Sequence, residues 1–213
     1  MVESVILGSG RVRLLGELNA STGSNGVILF AHGSGSGRLS PRNTWVANRF
    51  NQAGFSTLLV DLLTEEEAVR DSITMQHRFD VQLLGSRVIL AAEWLKTRSN
   101  QRIGYYGAST GASAALIAAA EKPEFVSAIV SRGGRPDLAE SSLPKVEAPT
   151  LLIVGGLDYD VLEMNREAQR RMRTTTRLEV VEGATHLFEE RGKLEEVARL
   201  SVAWFTKYVK MNI

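Results

Sequence analysis

Cysteine is absent from this 213-residue chain. That removes disulfides, thiolate nucleophiles and cysteine-ligated metals, in keeping with a reducing compartment. Histidine is scarce: His32, His77 and His186 are the only three, so any imidazole chemistry must use one of them. Neither sign of charge dominates. The 25 basic and 24 acidic residues leave a formal net charge of +1, which gives no general electrostatic grip on nucleic acid or an anionic membrane. No apolar run approaches the roughly 20 residues of a membrane-spanning helix. The opening "MVESVILGSGRVRLLGEL" lacks the basic start and continuous apolar stretch of a signal peptide. These absences predict a cytoplasmic globular protein that works without nucleic acid or membrane. The length suits a single domain over residues 1–213.

What is present alternates. "VESVIL" and "RVRLLGEL", joined at Gly8-Ser9-Gly10, predict an N-terminal hairpin, because glycine tolerates the positive φ of a tight turn. Short apolar runs then recur: "GVILFAHG", "FSTLLVD", "RIGYYG", "VSAIVS", "PTLLIVGG" and "RLEVVEG". The first two are typical of strands buried on both faces, and the others read as strands. Helical segments separate most of them: one from Pro41 to Gly54, "DVQLLGSRVILAAEWLKTRSN", an alanine-rich helix after Ser109, "DVLEMNREAQRRM" and "KLEEVARLSVAWFTKYV". Strands alternating with helices predict a mostly parallel α/β sheet covered on both faces. The irregular stretches 62–75 and 133–144 follow strands, and loops beyond strand C-terminal ends are where such sheets bind ligands.

Gly107-Ala108-Ser109-Thr110-Gly111 stands between a strand and a helix. The G-x-S-x-G pattern in that context holds a serine hydroxyl out on a strained turn, near the positive end of the helix. A serine needs a base, and His186, in the loop "GATHLF" after a strand, can reach it at the sheet's C-terminal edge. A carboxylate must orient the ring; Asp158 and Asp160, just after "PTLLIVGG", are the candidates. Taken singly, each has a plain explanation: a turn serine, a helix N-cap at Asp158, a packed loop histidine. Together, in this order and at three strand ends, they point to nucleophilic catalysis. The developing oxyanion needs two donors. The Thr110 N–H is one, and the glycine-rich "AHGSGSG" supplies the other, assigned to Ser34 with Gly33 or Gly35 beside it. That loop lacks the Gly-Lys-Ser/Thr ending of a P-loop, and His32 braces it.

From "LFAHGSGSG" through "YYGASTG" and "LLIVGGLDYD" to "GATHLF", the chain resembles the α/β-hydrolase superfamily, in its dienelactone-hydrolase-like branch. The resemblance implies a sheet of about eight strands with the second antiparallel. It also implies Ser109 as nucleophile, His186 as base and Asp158 as acid, the G-G-x-D spacing favouring Asp158 over Asp160. Dienelactone hydrolase itself uses a cysteine that this chain lacks, and no insertion long enough for a large helical lid separates "VSAIVS" from "PTLLIVGG". The expectation is a serine hydrolase of small carboxylic esters or lactones, needing no metal or cofactor and acting on a small-molecule substrate. The alternatives are another acyl acceptor, as in transacylation or perhydrolysis, or a non-catalytic binding module of the same fold. Arg132 and Arg135 in "SRGGRPD" are candidates for binding a substrate carboxylate; pairing with Asp137 is the structural alternative. "RRMRTTTR" reads as a solvated helix end, "LTEEEAVRD" as a surface loop or short helix, Asp80 as a cap, and His77 as a residue with no assigned role.

Overall fold

A computed structural model describes residues 2–209. The chain opens with β1 (Val2–Ser9) and β2 (Val12–Asn19), paired antiparallel with Ser9 opposite Val12. The turn falls at Gly10-Arg11, where Gly10 takes φ 60°. β3 (Val27–Ala31) and β4 (Ser56–Val60) flank α1 (Pro41–Gln52), and α2 (Glu65–Thr74) and α3 (Val81–Lys96) precede β5 (Ile103–Ala108). α4 (Thr110–Glu121), β6 (Ala128–Arg132), β7 (Thr150–Gly155), α5 (Tyr159–Arg171), β8 (Thr176–Val181) and α6 (Lys193–Tyr208) complete the order. All eight strands form one sheet, β1-β2-β4-β3-β5-β6-β7-β8, in which β2 runs antiparallel to β1 and β4 and the remaining pairs are parallel. This is the α/β-hydrolase architecture expected from the sequence.

Strand parity divides the core. In β3, Val27, Leu29 and Ala31 face the α3–α4 side, while Ile28 and Phe30 face α1 and α6. β5 repeats the alternation with Tyr105 on the first side and Tyr106 on the second. On the α1–α6 side Phe30, Phe50 and Tyr106 pack with ring centroids 4.8–5.6 Å apart. Such pairs add to the stabilisation from burial.

Helix ends are set locally. Ser40 accepts from the Asn43 N–H ahead of Pro41 at the first turn of α1, the arrangement that favours proline at that position. The segment "LTEEEAVRD" is mostly helix: Thr64 and Glu67 form a reciprocal capping box at the start of α2. Asp80 caps α3 through the Leu83 N–H. Between Gly133 and Pro144 the chain makes two short 3-10 turns, Pro136–Ala139 and Leu143–Lys145, with no inserted cap. Arg170, near the end of α5, pairs with Glu163 and Glu167, and Arg171 with Glu140. Among the described residues, no helix is long and apolar enough to cross a membrane.

Candidate active site

β5 delivers Ser109 at φ 51° and ψ −122°, a backbone conformation that an L-residue adopts only at a cost of order 1–3 kcal/mol. The surroundings enforce it. The Ser109 N–H donates to the Arg132 carbonyl at 3.1 Å, and the Ser109 carbonyl accepts from the Ala112 and Arg135 N–H groups. Glycine is required on either side because the strand and helix meet so closely. A Cβ at Gly107 would collide with Ala112, and one at Gly111 with the backbone carbonyl oxygens of Ala31 and His32. Those carbonyls belong to the sheet and the loop after β3 and cannot swing aside. Gly111→Ala is therefore expected to destabilise the protein by about 3 kcal/mol, read as a lower urea midpoint with unchanged slope; an unshifted midpoint would mean that the elbow is slacker than described.

The histidine and its acid come from neighbouring strand ends. Asp158 occupies the N-cap position of α5 but makes no capping hydrogen bond. Its Oδ2 lies 2.6 Å from His186 Nδ1 instead. That partner assigns the ring proton to Nδ1 and leaves Nε2 as the basic nitrogen. Asp160 points elsewhere, into an acidic groove along α5. Gly133, at φ 52°, lies against the imidazole: a Cβ there would come 3.4 Å from Cε1. Ser109 and His186 line one cleft of about 210 Å³. In the resting geometry the Ser109 hydroxyl makes no hydrogen bond among the described residues, and such contacts commonly close only around substrate.

The loop after β3 is pinned beside the serine. A Cβ at Gly33 would approach Ser109 Cβ to 3.1 Å, and the Ser34 hydroxyl lies 2.9 Å from that of Thr110. Neither the Ser34 N–H nor the Thr110 N–H donates to an acceptor among the described residues, so both remain free for an oxyanion. Arg38 closes the loop's far side on Asp61. His32 braces its start: Nε2 accepts from the Leu62 N–H at 3.0 Å, and Nδ1 donates to the Gly33 carbonyl at 2.9 Å.

Burial lowers the His32 pKa below its ordinary 6.5, against the opposing pull of the Gly33 carbonyl and the Asp61 charge. An unfolded chain would take up this proton below about pH 6.5 while the native one stays neutral. Stability is thus complete above that pH and falls as the pH drops toward the native value, by at most about 1.4 kcal/mol per pH unit from this group. Urea midpoints of wild type and His32→Asn between pH 7.5 and 5.5 test this. The wild-type curve should fall more steeply, and parallel curves would count against the assignment.

The structure separates the two candidate arginines. Arg135 is turned away from the cleft: Nε and Nη2 clasp Asp137 at 2.9 and 2.7 Å. This is the pairing with Asp137 given above as the structural alternative to binding a substrate carboxylate. Arg132 lines the Ser109 cleft and is only 6% exposed. His77 lies in neither the cleft nor its wall; its N–H and that of Arg78 hold the buried Asp71 carboxylate, which Arg78 Nε also contacts at 2.7 Å. The sequence reading did not identify Asn43 or Arg42 as cleft residues. Their only local signal is the Ser40-Pro41 start of a helix next to the glycine-rich loop.

The fold recurs in known proteins. The profile of the dienelactone hydrolase family matches residues 16–209. A dienelactone hydrolase from Anabaena variabilis of known crystal structure is 52% identical, superposes with a TM-score of 0.96, and is matched over 99% of each chain. The esterase domain of a Rhodothermus marinus protein, 18% identical with a TM-score of 0.75 over 98% of this chain and 99% of that one, shares the fold. Proteins of two Mycobacterium tuberculosis strains, both named "Putative phosphoribosyl transferase", are 51% identical over 97% of this chain, which spans only 46% of their length. On the profile match, and on the similarity to the Anabaena protein across the whole chain, this protein belongs to the dienelactone hydrolase family.

Proposed function

We propose that the chain hydrolyses small carboxylic esters or lactones through an acyl-enzyme on Ser109. The observation that carries this reading is the forced φ of 51° at Ser109 in a cleft shared with His186, whose Nδ1 is 2.6 Å from Asp158. Ser109 Oγ attacks the carbonyl carbon while His186 Nε2 takes its proton. The tetrahedral oxyanion is received by the N–H groups of Thr110 and Ser34. Collapse breaks the ester bond, and the imidazolium returns the proton to the departing alkoxide. A water molecule then loses a proton to Nε2 and attacks the acyl carbon; collapse breaks the bond to Ser109 Oγ, which takes the proton back from the imidazolium as the acid leaves. Asp158 fixes the tautomer and stabilises the imidazolium throughout.

No cofactor enters this scheme. The transferase name of the Mycobacterium proteins is given to chains of which this one spans under half, and the cleft residues described here support acyl transfer. Rapid mixing with a short p-nitrophenyl ester tests the proposal: a nitrophenol burst approaching one equivalent, followed by slower turnover, is expected. Adding an alcohol acceptor partitions the acyl group between water and alcohol. Absence of any turnover across acetyl to hexanoyl esters would contradict the reading.

A further inference from the structure

α2 reverses the usual pattern of a surface helix. Its one buried residue is Asp71, while Val69 and Ile73 are 67% and 79% exposed. A carboxylate is seldom buried unless it is paired, and Asp71 is held on every side. Its Oδ1 accepts from the N–H groups of His77 and Arg78 at 2.8 and 2.9 Å, and its Oδ2 from Arg78 Nε at 2.7 Å. Its carbonyl accepts from Arg78 Nη2 at 3.0 Å and from the N–H of Met75, a residue at φ 56°. Few residues other than glycine enter that region. Three of these five bonds come from Arg78, so the chain at Arg78 is fixed by Asp71.

The Arg78 carbonyl has a partner of its own. It accepts from the Ser34 hydroxyl at 3.3 Å, and the same hydroxyl lies 2.9 Å from that of Thr110. Ser34 has a single hydroxyl proton. With that proton on the Arg78 carbonyl, Thr110 is the donor in the second bond. The bonds then run one way, from Thr110 Oγ1 to Ser34 Oγ to the Arg78 carbonyl. Among the described residues, the bond from Ser34 to Arg78 is the one hydrogen bond joining the glycine-rich loop 33–37 to residues 65–80. A cavity of about 220 Å³ lies between the loop and α2 and is lined by both, so close packing alone does not hold the loop on that side. The two linked hydroxyls belong to the residues whose N–H groups are proposed to receive the oxyanion. Such donors act fully only when they are set in place beforehand, and a loop with glycine at every second residue has little stiffness of its own.

We propose that Asp71 is a positioning residue for the oxyanion site: through Arg78 and Ser34 it sets the spacing of the Ser34 and Thr110 N–H groups. The catalytic consequence rests on the hydrolase reading; the hydrogen-bonded chain does not, and the test keeps the two apart. The first arm needs no turnover. In nitrogen-15-labelled protein, Asp71→Asn turns an NH₂ toward the Arg78 guanidinium and is expected to displace the amide resonances of Ser34 and Thr110. Resonances unmoved at both residues would overturn the proposal.

The second arm is kinetic. Asp71→Asn and Thr110→Val should each lower kcat for phenyl acetate by about 10-fold, less than the loss of a donor outright, with KM within about two-fold. Phenyl trifluoromethyl ketone reads the oxyanion site directly. Ser109 Oγ adds to its carbonyl carbon, His186 takes the serine proton, and the carbonyl oxygen becomes the oxyanion. Its Ki should rise in proportion to the fall in kcat, whereas a merely structural role would lower the melting point and leave the ratio of Ki to KM unchanged. Both substitutions cut one chain, so the double variant should lie within about three-fold of either single one. Thr110→Ser restores the hydroxyl and should recover most of the rate. Arg78→Met removes the Nε and Nη2 bonds, and takes the place of Asp71→Asn if that protein does not melt cooperatively. An unchanged ratio of Ki to KM, or losses that multiply in the double variant, would overturn the proposal. If wild type neither hydrolyses phenyl acetate nor binds the ketone, the hydrolase reading fails, and the amide resonances alone decide whether Asp71 sets the two N–H groups.

Discussion

Ser109→Ala is expected to lower kcat for a short activated ester by about 10⁴- to 10⁶-fold, the scale on which removal of a serine nucleophile acts in unrelated triad enzymes. The residual rate would come from the N–H groups of Thr110 and Ser34, the proposed oxyanion donors, which the substitution leaves in place. The same position also gives a stability prediction of opposite sign. Ser109 is held at φ 51° by its bonds to Arg132, Ala112 and Arg135. Glycine pays no Cβ penalty there, so Ser109→Gly should melt higher than wild type by the equivalent of about 1 kcal/mol while being equally inactive. A variant that loses activity and gains stability together is the signature of strain held for function. Loss of both would mean that the backbone at Ser109 is relaxed in solution.

Asp158→Asn is expected to cost about 10⁴-fold in kcat. The carboxylate accepts from His186 Nδ1 at 2.6 Å and so keeps the proton off Nε2. A carboxamide can present its NH₂ to the ring instead, favouring the tautomer in which Nδ1 is the acceptor and Nε2 is protonated and unable to act as base. Asp158 makes no capping bond to α5, so the fold should tolerate the change, and circular dichroism and melting serve as controls. Asp160→Asn is the internal comparison. Asp160 is exposed and lines the groove along α5, and its substitution should leave kcat within about two-fold. Steady-state rates on one ester distinguish the pair; similar losses at both positions, or none at either, would contradict the assignment of Asp158.

How far the sequence carried this reading depended on the range of the interactions involved. β3, β5, β6 and β7 are buried at every position, so each appears as an unbroken apolar run. Ser109 and Asp158 follow two such runs, β5 and β7, while His186 follows the partly buried edge strand β8; because these parallel strands end on one edge, all three residues lie at that edge. The capping box at Thr64 and Glu67 is written in "TEEE", and the sequence held the signal for α2 even where a loop seemed equally admissible. The two arginines of "SRGGRPD" are a different case. Arg135 found its partner two residues away, a pairing visible locally. Arg132 was indistinguishable from it by type and neighbourhood. Its burial arises from α1, about 90 residues earlier in the chain, which supplies Asn43 to its guanidinium. Such a contact is a property of the packed layers, and no local pattern encodes it. The glycine-rich loop after β3 lies between these cases. Its glycines announced close approach to a ligand, but its anchoring by His32 to Leu62 and by Arg38 to Asp61 became apparent only once β4 lay beside β3.

The most direct test of the central claim, an activated serine at position 109, is labelling with a fluorophosphonate, read by intact mass and peptide mapping. The account predicts one adduct per chain, located on Ser109, absent from Ser109→Ala and formed much more slowly in His186→Ala. An unlabelled wild-type protein that melts cooperatively, or an adduct on any other residue, would contradict it.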